Sequence, residues 1–320
     1  MSSRVGSATG RTLTNRSSLA SARVRRPSAA EVGLLVTVLI WSLNFTLTKY
    51  VLDEGFKPLA YSSLRFAAAA VVFAAITFAL ERSFWMRRND FVLLVAAVVI
   101  GIWLNQIAFV YSLKYTTAST AALVFGTLPI FTMIVARASG VEHLSRRFVV
   151  ASGVSFAGVA LVAVGAEAGV AGDPVGIALA LVGAATWAGY SVAIAPLMQR
   201  YSPFRISAVG LLVGATLIIP TAAPQLASQE FHFSPLVWLI FVVAVFGPLV
   251  LTNVLWFTAI DRVGPSRASL YANLQPFLGA FFALLILSER MTLLQAVGGV
   301  AIAAGIALAR RPRAPLPASE

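Results

Sequence analysis

Ser112-Leu113-Lys114-Tyr115-Thr116-Thr117-Ala118-Ser119-Thr120-Ala121-Ala122-Leu123 returns 147 residues later as Ala259-Ile260-Asp261-Arg262-Val263-Gly264-Pro265-Ser266-Arg267-Ala268-Ser269-Leu270. Ser119 falls on Ser266, Ala121 on Ala268 and Leu123 on Leu270, and the register continues without a gap through Pro129 on Pro276 and Glu142 on Glu289. It still holds where Gly158 meets Gly305 and Leu161 meets Leu308. Upstream, Gln106 falls on Asn253 and Phe109 on Trp256. The chain therefore carries two copies of one unit.

The surroundings of this run say what kind of unit it is. The chain has 320 residues, of which 59% are hydrophobic and 11% charged. Soluble domains carry about 25% charged residues, so this chain cannot cover a water-facing surface. Its apolar residues come in stretches of about 20, the length of a helix that crosses a bilayer core. We read ten spans, at about 31–51, 58–80, 91–113, 118–138, 147–165, 175–198, 203–222, 235–257, 265–287 and 293–309. Breakers such as Gly172-Asp173-Pro174, Ser202-Pro203 and Ser234-Pro235 separate them. The predicted fold is an all-α polytopic membrane protein of two five-helix repeats, 31–165 and 175–309, between polar tails at 1–30 and 310–320.

Basic residues orient the spans. Arg4, Arg11, Arg16, Arg23, Arg25 and Arg26 fill the amino tail, and alternation puts Arg82, Arg87, Arg88, Arg137, Arg146, Arg147, Arg200, Arg205, Arg262 and Arg267 on the same side. Arg310, Arg311 and Arg313 join them, whereas Lys49, Lys57, Lys114 and Arg290 lie opposite. By the positive-inside rule both termini face the cytoplasm, in a plasma membrane. The net charge of +12 is then a topology signal and implies no nucleic-acid partner. The amino tail has no apolar core for a secretory signal. Its Arg- and Ser-rich, acid-free composition also suits an organelle transit peptide, although a disordered cytoplasmic tail is the simpler reading. Because each copy holds an odd number of spans, the second is inverted relative to the first, as in secondary transporters that alternate access to a midplane site.

Trp41-Ser42-Leu43-Asn44-Phe45, Lys49, Pro58-Leu59 and Arg65-Phe66, followed by the doubled runs with their prolines and glutamates, resemble the EamA family of the drug/metabolite transporter superfamily. The likeness covers about residues 32–309. It implies ten helices as two inverted five-helix repeats, export of small metabolites such as amino acids, and a cavity lined mainly by spans one, three, four, six, eight and nine. An organelle exchanger of anionic metabolites is the alternative, and a non-transporting scaffold a weaker one. The sequence departs from the family pattern at Trp187-Ala188-Gly189-Tyr190, where a polar turn like that around Asn44 is expected.

Polar residues inside spans mark the candidate cavity. Arg65 lies seven residues beyond Pro58, about 10 Å along a helix, where a charge costs roughly 2.5–3.5 kcal/mol. Two roles suit it: attracting a carboxylate or phosphate, or locking the bundle through helix-end carbonyls. Asn44 and Thr48 share a helix face at i, i+4. Gln106 and Asn253 are amides at matched positions, and Asn273 and Gln275 stand beside Pro276. Trp187, Tyr190, Trp256 and Tyr271 are aromatics within spans that would suit a planar or apolar solute. Pro129 and Pro276 each withdraw a donor from the carbonyl four residues earlier, on Phe125 and Ala272, and so predict paired helix breaks that gate the site.

Other chemistries lack their residues. The chain has no Cys, and His143 and His232 both fall in polar connectors, so no metal site or cofactor is expected. No GxxxxGK[ST] run is present for ATP hydrolysis. No Asp or Glu falls within the hydrocarbon core, and no Asp, His, Ser and Lys set shares one depth as an intramembrane enzyme needs, so no catalytic residue is expected. Gly210 and Gly214 have GxxxG spacing, which permits close helix contact without establishing a dimer.

Overall fold

The structure, a computed structural model, describes residues 28–142, 144–165, 173–287 and 292–309. The tails, His143, Glu289 and Arg290 lie outside the described residues. The regular elements among the described residues are all helices, with no β-strand among them. In order they form α1 (Ala29–Asp53), α2 (Pro58–Glu81), α3 (Arg88–Val98), α4 (Asn105–Tyr115), α5 (Ala118–Phe125), α6 (Leu128–Ala138), α7 (Arg146–Gly165), α8 (Pro174–Met198) and α9 (Pro203–Ala227). There follow α10 (Pro235–Val245), α11 (Thr252–Val263), α12 (Pro265–Leu270), α13 (Leu274–Leu287) and α14 (Leu293–Ala309). Among the described residues seven helical stretches are long and apolar enough to cross a membrane, and the protein is a multi-pass membrane protein. Large apolar side chains such as Val71, Leu80, Ile134 and Val300 stand on the outside, where lipid solvates them.

Local signals fix the helix starts. Prolines open α2, α8, α9, α10 and α12, where the missing N–H costs nothing. Asp173, Ser202 and Ser234 cap their helices by accepting from backbone N–H groups of the first turn. At α1, Ser28 and Glu31 cap each other's backbone reciprocally, a box worth about 1 kcal/mol.

Helices at matching positions of the two copies pack against each other, antiparallel. In α7, an added Cβ on Gly158 would meet the Gly298 carbonyl of α14 at 2.6 Å; on Gly305 it would meet the Ala151 carbonyl at 2.7 Å. Residues 151 and 298 are themselves 147 apart, so the contact is reciprocal about a local two-fold axis. Glycine is required on both sides because the backbones touch. Helices α2 and α9 run antiparallel in the same way. At one end Glu81 pairs with Arg205 at 2.7 Å, and at the other Gln225 accepts from the Leu59 N–H at 2.8 Å. Beside the first end, Asp90 pairs with Arg200 at 2.6 Å and accepts from the Tyr201 hydroxyl at 2.8 Å, which ties α3 to the α8–α9 connection.

The repeat also sets where helices deform. A π-helical turn joins α3 to α4 at Val99–Leu104, and another joins α10 to α11 at Phe246–Leu251. These turns are offset by the same 147 residues. π-turns insert an extra residue into the ladder and cluster at functional sites. A second matched pair of breaks lies between α5 and α6 at Gly126–Thr127, and in the 3₁₀ turn Tyr271–Asn273 before α13. Pro129 and Pro276 do not themselves interrupt a continuous helix. Each sits in the first turn of the helix that follows a break, where its missing donor is already an end group. The breaks therefore fall beside the carbonyls of Phe125 and Ala272, where the prolines indicate.

Candidate functional site

The two π-turns converge on an internal cavity of about 100 Å³. Four matched pairs line it: Gly101 with Pro248, Ile102 with Leu249, Gln106 with Asn253, and Leu128 with Gln275. The first π-turn owes its approach to Gly101, on which any Cβ would collide with the Tyr190 side chain of α8. In the second turn the equivalent position is Pro248, which has no N–H to return to the preceding turn. The same deformation is thus reached once by a residue that leaves space and once by a residue that withdraws a donor.

Arg65 resolves the consequence. Its side chain, 1% exposed, donates from Nη2 to the carbonyl of Ala244 at 3.0 Å and to Asn44 Oδ1 at 3.3 Å. Ala244 stands four residues before Pro248, so the guanidinium replaces a donor that proline lacks. The guanidinium carbon also lies 4.9 Å from the centroid of the Tyr61 ring, a cation–π contact. Arg65 Nε and Nη1 have no hydrogen-bond partner. Leaving charged donors buried and unpaired is expensive, and Arg65 is part of the cavity wall. The helix-locking role expected of it is seen in its bonds to Ala244 and Asn44. Nη2 locks helices, while Nε and Nη1 remain available.

The rest of the wall divides into an aromatic part and a neutral polar part. Phe45, Phe109 and Phe125 meet edge to face with centroids 5.3 to 6.1 Å apart. Trp41 packs edge-on to Trp187 at 5.5 Å, and Trp187 lies 5.4 Å from Tyr190. Four buried polar atoms of the wall have no partner: Gln106 Oε1, Gln275 Oε1, Trp187 Nε1 and Ser207 Oγ. Among the described residues of the wall Arg65 is the charged one, and no Asp or Glu stands with it. No group of three metal-ligating side chains occurs among the described residues.

Of the residues the sequence singles out, Asn44, Arg65, Gln106, Trp187, Tyr190, Asn253 and Gln275 line the cavity. Thr48, Trp256, Tyr271 and Asn273 stand outside the wall. Thr48 lies one turn beyond Asn44 and donates to its Oδ1 at 3.3 Å. Trp256 is buried behind Trp41, 4.8 Å between centroids, and donates to Ser191 Oγ at 3.2 Å. Tyr271 donates to Glu31 Oε1 at 3.3 Å, and Asn273 to Ser155 Oγ at 2.8 Å, so both are turned towards neighbouring helices by those bonds. Residues not singled out for the cavity include Phe66, next to Arg65 on α2, and Ser207, which brings α9 into the wall beyond the spans expected. Asn105 also belongs to it and donates to the Gly183 carbonyl at 2.7 Å. Pro248 carried a readable signal, a proline inside a span at the repeat position of Gly101. Ser207 carried none.

The fold is that of a multi-pass helical protein with a largely apolar cavity lined by both copies of the repeat, and comparison with known proteins gives its class. The EamA-like transporter family matches residues 28–164 and 174–311, and the chain belongs to that family, part of the drug/metabolite transporter superfamily. An "Uncharacterized transporter" of Archaeoglobus fulgidus is 25% identical over 88% of this chain and 99% of its own. A "Probable terminal-alkyne amino-acid exporter" of Streptantibioticus cattleyicolor is 26% identical over 89% of this chain and 94% of its own. A solved crystal structure with 20% sequence identity shares the fold, with a TM-score of 0.70 over 88% of this chain and 96% of that one.

Proposed function

We propose that this protein is a secondary transporter that moves a small, carboxylate-bearing metabolite across the plasma membrane by alternating access between two inverted five-helix repeats. Ten spans carry it, in this reading, with both termini in the cytoplasm, and the physiological direction is export. The observation that supports this most directly is Arg65, a buried guanidinium with unpaired Nε and Nη1 in a cavity walled from both repeats. A carboxylate can accept from one of these unpaired nitrogens and is drawn to the guanidinium's charge. The reciprocal α7–α14 contact and the paired π-turns argue for the inverted symmetry.

The rest of the solute follows from the remaining wall. Gln106 Oε1 and Gln275 Oε1 are acceptors that call for N–H donors on the solute. Phe45, Phe109 and Phe125 suit an apolar or planar group. An amino acid or close analogue combines all three, and the name of the Streptantibioticus relative agrees with that class. Purified protein screened by thermal shift against amino acids, nucleosides, sugars and cationic drugs tests this reading. Stabilisation confined to carboxylate-bearing solutes is expected; stabilisation by the cations alone would overturn it.

A further inference from the structure

We infer that a pocket at the arginine-rich end of the bundle, separate from the central cavity, binds the head group of an aminophospholipid: a phosphate diester that carries a primary ammonium. The inference stands apart from the solute reading above and uses none of its residues.

The pocket, of about 410 Å³, lies between the α6–α7 connection of the first copy and the α11–α12 connection of the second. Glu142, Ser145 and Phe148 line it from one copy, and Arg262, Ser266 and Arg267 from the other. Main chain holds the carboxylate in place. The Ser266 N–H donates to Glu142 Oε2 at 3.2 Å. Gly264 stands at φ +83°, in the left-handed region, and any Cβ there would collide with Glu142 Oε1.

Glu142 and Arg262 share this wall yet form no ion pair, with each other or with another described residue. Arg267 lies over the Phe148 ring, with its guanidinium carbon 5.9 Å from the centroid. Ser266 Oγ is 0% exposed and has no hydrogen-bond partner. The pocket therefore presents two cations, one anion and an unsatisfied hydroxyl.

That pattern selects the ligand. A phosphate diester brings a delocalised negative charge to Arg262 and Arg267, whose planar forks match phosphate oxygens. A primary ammonium brings three N–H donors to Glu142 and the Ser266 hydroxyl. A choline head group has the cation without the donors, and a glycerol head group has no cation for Glu142. Basic pockets between membrane helices recur as head-group sites. The lipid itself is at hand, since Phe148 lines the pocket while Val149 and Val150 beside it stand exposed on the apolar outer surface.

The repeat shows that the fold does not require these arginines. In the first copy the positions of Arg262, Gly264 and Arg267 are Tyr115, Thr117 and Thr120. There Thr117 Oγ1 accepts from the Thr120 N–H at 3.1 Å, and the connection caps itself.

Lipid retention by the purified full chain, read by native mass spectrometry, tests the inference. Phosphatidylethanolamine is expected to be held at least about tenfold more tightly than phosphatidylcholine or phosphatidylglycerol. Glu142→Gln, which keeps an oxygen for the Ser266 N–H, should reduce phosphatidylethanolamine to the level of phosphatidylcholine. Arg262→Gln changes an exposed side chain and should weaken both lipids alike, which keeps the test decisive if the Glu142 variant does not fold. Equal retention of the three lipids by the unmodified chain would overturn the inference, as would tight phosphatidylethanolamine binding that survives the substitutions. Soluble phosphoethanolamine separates the two sources of this chemistry. At the same concentration it is expected to displace little lipid; full displacement would assign the pocket to a soluble zwitterion and overturn the lipid assignment.

Discussion

Arg65 Nη2 lies 3.0 Å from the carbonyl oxygen of Ala244, four residues before Pro248. A cation on α2 thus supplies the donor that a proline in the second π-turn cannot. Pro248→Ala restores a backbone N–H at that position, so the contact should become partly redundant. Arg65→Gln is expected to cost about 1–3 kcal/mol in the native background, the usual cost of stranding a buried acceptor. In the Pro248→Ala background the cost should fall by at least half. Thermal unfolding of the four proteins in detergent checks the cycle; equal costs in both backgrounds would uncouple the two residues.

Gln106 and Asn253 oppose each other across the cavity at matched positions, and Gln106 Oε1 has no partner. Removing an unpaired buried polar atom does not weaken folding. Gln106→Leu should therefore leave the unfolding temperature unchanged or slightly raised, while apparent solute affinity falls about tenfold, or 1.4 kcal/mol. Asn253→Leu should lower affinity in the same assay. Unchanged affinity in both variants would make the pair packing residues.

Gly101 and Gly189 separate a required glycine from a dispensable one. A Cβ on Gly101 would collide with Tyr190, whereas one on Gly189 meets nothing within 4 Å. Gly101→Ala should destabilise by about 1–3 kcal/mol through overpacking at the first π-turn. Gly189→Ala, inside α8, should be neutral or stabilising by up to about 1 kcal/mol, because alanine is the better helix former. Equal effects would remove the close approach from the account.

What the sequence disclosed depended on whether a residue's signal was local or relational. The offset of 147 residues and the apolar stretches announced duplicated membrane helices, and the same offset relates the two π-turns. Arg65, Asn44 and Gln106 were legible because polar groups inside apolar runs are costly unless used. Helix rotation was not legible. Asn273 and Gln275 are two residues apart, yet Gln275 joins the wall while Asn273 turns to Ser155. That difference arises at the 3₁₀ turn Tyr271–Asn273, whose phase no periodicity predicts. Ser207 is one of many small polar residues, and only the packing of α9 brings it to the cavity.

Solute flux per folded molecule tests the central claim most directly, that a carboxylate crosses the membrane against Arg65. Wild-type protein and Arg65→Ala are reconstituted in equal folded amounts, with the best-stabilising carboxylate solute radiolabelled inside the vesicles and unlabelled outside. The account predicts that Arg65→Ala loses at least about tenfold of the flux while its folded yield falls far less. Equal flux per folded molecule would contradict it.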